Sequence, residues 1–145
     1  MKRSASAVWK GGLKDGAGTI STASGALKEH HHGFSTRFEE SPGTNPEELI
    51  AAALAGCYSM ALSGQLNAAG LTPTRIDTTA HASFEKTDAG WRITRIHLDT
   101  AADVPNATPE AFDKAANDAK NGCPVSNALK TEITLNARLT AGAKA

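Results

Sequence analysis

Asn45-Pro46-Glu47-Glu48-Leu49-Ile50-Ala51-Ala52-Ala53-Leu54-Ala55-Gly56-Cys57-Tyr58-Ser59-Met60-Ala61-Leu62 is the stretch around which the rest of the chain has to be arranged. Asn45 is placed as an N-cap, Pro46 suits the first helical position, and Glu47 and Glu48 put carboxylates at the positive end of the helix. This predicts a central helix over 45–70, ending at Gly70, its span from Pro46 to Ala69 about 36 Å long at 1.5 Å per residue. The helix carries little polar surface on any side, and a helix apolar all round is expected to be buried all round.

Outward from this helix, the chain reads as one domain, 1–145. N-terminal strands are expected over 1–40, with strand candidates at Ser4–Trp9, Thr19–Thr22 and around Ala26-Leu27, and a loop from Lys10 to Gly18. After the central helix, a hairpin over 72–102 alternates Ile76, Thr78, Ala80 and Ala82 against Arg75, Asp77, Thr79 and His81, and turns at Lys86–Gly90. Helices are expected over 108–130, the first opened by Thr108-Pro109-Glu110 and closed by Gly122 as a left-handed cap. A final strand over 131–140 places Ile133, Leu135 and Ala137 on one face. The fold class is α+β, with antiparallel sheets around the long helix. A chain of 145 residues is too small to enclose that helix alone, so two copies are expected to pack their long helices together as a homodimer.

Fifteen Lys plus Arg balance fifteen Asp plus Glu, so no net field draws the chain to nucleic acid or to an anionic membrane surface. The N-terminus is not followed by an apolar stretch of signal-peptide length, and no eighteen apolar residues run together. A cytoplasmic protein without a membrane span is expected. Glu29-His30-His31-His32-Gly33 invites a metal reading, but side chains alternate along a strand, so three consecutive histidines cannot share one ion. No metal site and no cofactor are expected. His81 and His97 fall at solvent-facing positions.

Two cysteines in a reducing compartment are more often free thiols, metal ligands or catalytic groups than a structural staple. Taken alone, Cys57 on an apolar helix reads as buried filler. Cys123, between Gly122 and Pro124, is placed as the N-cap of a further turn through Lys130, where a positive helix end favours the thiolate. At a thiol pKa of about 8.5, only about 3 % is ionised at pH 7, so an attacking cysteine needs a cation close by. Arg37 is the candidate, with Glu47 in the first helical turn able to hold its guanidinium by a bidentate pair, although taken alone Arg37 reads as a surface charge.

Thr36-Arg37-Phe38-Glu39, Gly43-Thr44-Asn45-Pro46-Glu47-Glu48-Leu49-Ile50, Ala55-Gly56-Cys57-Tyr58-Ser59-Met60-Ala61-Leu62 and Gly122-Cys123-Pro124-Val125-Ser126 together resemble the OsmC/Ohr family over nearly the whole chain. Within it they are most similar to the osmotically inducible protein C branch of these peroxiredoxin-like thiol peroxidases. The organic hydroperoxide resistance branch takes its arginine from an earlier loop, and here no arginine occurs between Arg3 and Arg37.

The resemblance implies an OsmC-like fold in an intertwined homodimer that reduces organic hydroperoxides, and hydrogen peroxide more weakly, in stress defence. It implies Cys57 as the peroxidatic cysteine and Cys123 as the resolving one, joined in a disulfide during the cycle. Arg37 and Glu47 match the pair that polarises the peroxide and orients the site. An external dithiol, in family members a lipoyl protein, reopens the disulfide.

Glu47 and Cys57 stand ten positions apart on one helix, about 15 Å along its axis and on different faces. Arg37 and Glu47 are therefore expected to serve the Cys57 of the partner chain, in composite active sites. Three rival readings stand beside this one: a peroxide-responsive redox sensor, a dimer binding a small apolar ligand, and a disulfide oxidoreductase. The last lacks a Cys-x-x-Cys motif.

Overall fold

The computed structural model describes residues 1–141. They form two compact units, Met1–Leu49 and the remainder from Ile50 onward.

The first unit holds a three-stranded antiparallel sheet, β1 (Ala5–Lys10), β2 (Ala17–Thr22) and β3 (His30–His32), in the order β1-β2-β3. Gly18 faces Trp9 on one side and His32 on the other. A Cβ there would stand 2.7 Å from His32 Nε2 and 2.8 Å from Trp9 Cε3, so only glycine lets these rings meet, at a centroid separation of 5.4 Å.

Two expectations change here. Ala26-Leu27 lies in a turn, tied back by Leu27 N–H donating to Thr22 Oγ1 at 3.0 Å, and the third strand is the histidine run instead. Phe34–Phe38, expected among extended segments, forms a short helix, α1. Its cause is local: Gly33 N–H donates to Thr36 Oγ1 at 2.8 Å while the Thr36 hydroxyl donates to Gly33 O at 3.0 Å. This threonine turn competes with strand pairing. Asn45 Nδ2 donates to Thr36 O at 3.2 Å and Asn45 Oδ1 accepts from Glu48 N–H at 2.8 Å. The N-cap thus also anchors α1.

The long helix, α2 (Pro46–Ala68), enters the second unit with Leu54, Tyr58, Leu62 and Leu66, all at 0 % exposure. The four-residue spacing makes them one stripe. They form a core with Ile96, Leu98 and Ala102 and with Phe112, Ala115, Ala116 and Ala119. Burial of a large apolar side chain contributes about 1.5–3 kcal/mol, so this stripe holds the unit together.

The opposite side of α2 is not enclosed by its own chain. Ala52, Ala53, Gly56 and Gly64 are exposed, and Met60 is 78 % exposed, so burial all round does not hold within one chain. Although no run of eighteen apolar residues occurs, α2 is long and apolar enough to cross a membrane by length and composition alone. Its buried stripe marks it as the core helix of this unit.

β4 (Arg75–Thr87) and β5 (Gly90–Asp103) form the expected antiparallel hairpin, and β6 (Glu132–Ala141) lies beside β5 in the order β4-β5-β6. β6 runs parallel to β5, with Ile96 opposite Ile133 and Leu98 opposite Leu135, so this sheet is mixed and not purely antiparallel. Between Asp103 and Glu132 the chain crosses over through α3 (Pro109–Gly122) and α4 (Pro124–Ala128), the long connection that parallel pairing requires. Thr108 caps α3, accepting from Ala111 N–H at 3.2 Å. Gly122 supplies no left-handed cap. It stays helical, and α3 ends at Cys123, with φ −62° and ψ 126°.

Candidate active site

Cys57 and Cys123 meet in the second unit. α2 carries Cys57, and the neighbouring Tyr58 locks that turn of the helix by donating its hydroxyl to Ala116 O on α3 at 3.1 Å. Cys123 sits at the junction of α3 and α4, its own N–H bonded to Ala119 O at 2.9 Å and its carbonyl accepting from Asn127 N–H at 3.1 Å. Pro124, which has no N–H and a fixed φ, starts the new helix directly behind it. This brings two sulfurs 66 positions apart in sequence to an Sγ–Sγ distance of 2.7 Å. Both are free thiols, Cys57 partly exposed and Cys123 buried.

The pair is unequal. Burial pushes the Cys57 thiol above its ordinary value, and hydrogen bonding to Cys123 adds to this, outweighing a favourable contact from the Val125 amide. Cys123 is also penalised by burial, yet the Cys57 thiol, the Ser126 amide and hydroxyl, and the Val125 amide together hold it below its ordinary value. Within this unit Cys123 is the better thiolate.

Arg37 and Glu47 meet in the first unit. Arg37 Nε and Nη2 both donate to Glu47 Oε1, at 3.0 and 2.9 Å. The pairing expected from sequence is present but not as a two-oxygen fork: both donors converge on one oxygen. Glu47 Oε2 is buried and accepts no hydrogen bond among the described residues. Arg37 lies 5.6 Å over the Phe38 ring, while 41 % of its side chain is exposed. With Trp9, Leu13, Phe34 and Phe38 it lines a mostly apolar hollow of about 310 Å³. The four predicted residues thus form two pairs, each assembled inside its own unit.

Sequence reasoning passed over Phe34 and Phe38, although their spacing on either side of Arg37 was the available signal. It also passed over Ser126, three residues beyond Cys123, whose amide and hydroxyl favour the Cys123 thiolate. Among the described residues no group of three or more His, Cys, Asp or Glu side chains is placed to hold a metal ion. His81 and His97 flank Asp99 on the exposed sheet face, at 3.5 and 3.4 Å, and His97 Nδ1 is 2.6 Å from Thr134 Oγ1.

The chain is 55 % identical over 131 residues, 90 % of its own length and 92 % of the relative's, to a protein of Escherichia coli named Peroxiredoxin OsmC. It is 29 % identical over 99 residues, 67 % of its length and 68 % of the relative's, to organic hydroperoxide resistance protein-like 2 of Staphylococcus saprophyticus.

The fold matches that of an OsmC-like protein from Vibrio cholerae with a TM-score of 0.76 at 19 % identity, covering 94 % of this chain and 99 % of that one. It also matches the organic hydroperoxide resistance protein OhrB of Bacillus subtilis with a TM-score of 0.66 at 22 % identity, covering 94 % and 98 %. The family model for OsmC-like proteins matches residues 38–138, a span that holds Glu47, Cys57 and Cys123 and begins immediately after Arg37. The chain belongs to the OsmC family.

Proposed function

We propose that this chain is a thiol peroxidase that reduces organic hydroperoxides, and hydrogen peroxide more weakly, through a Cys57 sulfenic acid and a Cys57–Cys123 disulfide. The observation that carries the reading is the 2.7 Å Sγ–Sγ contact, which leaves little movement between the reduced pair and a disulfide of about 2.05 Å. The Peroxiredoxin OsmC name of the E. coli relative supports peroxide as the substrate.

The Cys57 thiolate attacks the distal peroxide oxygen, the O–O bond breaks, and the electron pair leaves with the alkoxide. Arg37 stabilises the charge that develops there. Glu47 holds the guanidinium in place through Oε1. The apolar wall of Trp9, Leu13, Phe34 and Phe38 beside Arg37 suits an alkyl or aryl tail, which is why an organic hydroperoxide is preferred. Cys123 then attacks the sulfenic acid and water leaves. An external dithiol, a lipoyl-bearing protein by family resemblance, returns the pair to thiols.

The working form is a homodimer. The exposed Ala52, Ala53, Gly56, Met60 and Gly64 side of α2 packs against a second copy, and Arg37 and Glu47 of one chain serve Cys57 of the other. The test is steady-state turnover of cumene hydroperoxide and hydrogen peroxide with excess dithiol, for the native chain, Cys57→Ser and Cys123→Ser. Loss of turnover in both variants is expected. Undiminished turnover in Cys57→Ser overturns the mechanism.

A further inference from the structure

The two sulfurs of the pair are not equivalent targets for a reductant. In the reduced chain Cys123 is fully buried, at 0 % exposure, whereas Cys57 retains exposed surface. Within a single chain, a thiol coming from solution therefore meets Cys57 before it meets Cys123. Accessibility is one half of the asymmetry.

The other half is the fate of the sulfur that leaves. Disulfide exchange is faster when the leaving sulfur is stabilised as a thiolate. Ser126 lies three residues beyond Cys123, and its Oγ is buried without a hydrogen-bond partner among the described residues. A buried hydroxyl left unbonded is costly, and a negative sulfur beside it supplies the missing acceptor. The hydroxyl and amide of Ser126 both favour the ionised form of Cys123. The surroundings of Cys57, by contrast, favour the neutral thiol, burial first and the Cys123 neighbour second.

We infer that the external dithiol attacks Sγ of Cys57 and expels Cys123, with the Ser126 hydroxyl as the positioning group that receives the departing thiolate. One thiolate of the dithiol forms a bond to Cys57 Sγ, the Cys57–Cys123 bond breaks, and its electron pair stays on Cys123. The second thiolate of the reductant attacks the reductant's own sulfur in the mixed disulfide. This closes the oxidised dithiol and releases Cys57. The inference rests on the peroxidase reading for its place in a cycle, but its chemistry can be examined apart from peroxide.

The full-length chain is oxidised with diamide, which makes the disulfide without a peroxide. It is then exposed briefly to mercaptoethanol and quenched in acid, the free thiol is capped with N-ethylmaleimide, and the peptides are mapped by mass. The expected product carries mercaptoethanol on Cys57 and maleimide on Cys123. An even split, or mercaptoethanol mainly on Cys123, overturns the inference.

For Ser126, reductive cleavage should slow several-fold in Ser126→Ala and recover in Ser126→Thr, while peroxide oxidation of Cys57 keeps its rate. Equal slowing of both half-reactions marks a merely structural serine and removes it from the inference. A chain that consumes no peroxide yet gives the Cys57 adduct sinks the peroxidase reading and leaves this one standing.

Discussion

Cys57 and Cys123 share a sulfur–sulfur contact of 2.7 Å in which burial and its neighbour keep Cys57 protonated while Ser126 and Val125 favour the thiolate of Cys123. Two thiols this close titrate as a unit, and their apparent pKa values belong to the pair.

As pH rises, the first proton leaves below the ordinary thiol value of 9.0, because one thiolate is stabilised by the other S–H. The second leaves above it, because a second charge must be made beside the first. Thiolate ultraviolet absorbance of the reduced chain should therefore climb in two separated steps. Each single Cys→Ser variant should show one. A single unresolved step at the ordinary value in the native chain counts against the contact.

Arg37→Ala should reduce kcat/KM for cumene hydroperoxide by about 100- to 1,000-fold, the usual effect of removing a group that stabilises developing charge. It should also move upward the step in which Cys57 ionises, since a cation that favours the Cys57 thiolate is gone. Glu47→Gln keeps the shape but weakens the hold on the guanidinium, and should give a smaller loss. Initial rates and the absorbance titration together check both. An Arg37→Ala variant with native kinetics removes Arg37 from the site.

Gly56 faces open space, with nothing within 4 Å of a Cβ built on it. Gly56→Leu should therefore leave the single chain's own packing intact while filling the surface on which the second copy sits. Sedimentation velocity should show the native chain as a dimer and the variant shifted to monomer, with retained helical circular dichroism and little peroxidase activity. A native chain that sediments as a monomer contradicts the composite site.

Tyr58→Phe removes the hydroxyl that donates to Ala116 O and leaves a buried carbonyl short of a donor. The expected loss is about 1–3 kcal/mol of unfolding free energy, read as a lower midpoint in urea with an unchanged slope. Tyr58 is also the residue that ties the Cys57 turn of α2 to α3, so disulfide formation should slow in the same variant.

What could be read in advance follows from how local each cause is. The start of α2 was legible because Asn45, Pro46 and the two glutamates each act within one turn, and its core stripe because Leu54, Tyr58, Leu62 and Leu66 repeat at helical spacing. The pairing of Arg37 with Glu47 was legible from chemistry alone. The convergence of both donors on Oε1 was not, since side-chain geometry depends on the packing around it.

α1 was missed because Thr36 sets it through one side-chain turn too short to show a period. The parallel pairing of β6 was missed because an alternating strand reads the same in either direction. The inequality of the two thiols arises between residues 66 positions apart, where no local pattern reaches. The openness of one side of α2 is the reverse case: its apolar composition was plain in the sequence, and the single chain leaves that side bare.

The central claim is that peroxide is reduced at Cys57 and resolved by Cys123. Reduced protein should be mixed with less than one equivalent of cumene hydroperoxide, its free thiols counted and its peptides mapped. The account predicts two thiols lost per peroxide consumed and a single Cys57–Cys123 disulfide, with a stable Cys57 sulfenic acid trapped by dimedone in Cys123→Ser. Peroxide consumed with both thiols intact, or thiol loss that persists in Cys57→Ser at the native rate, contradicts it.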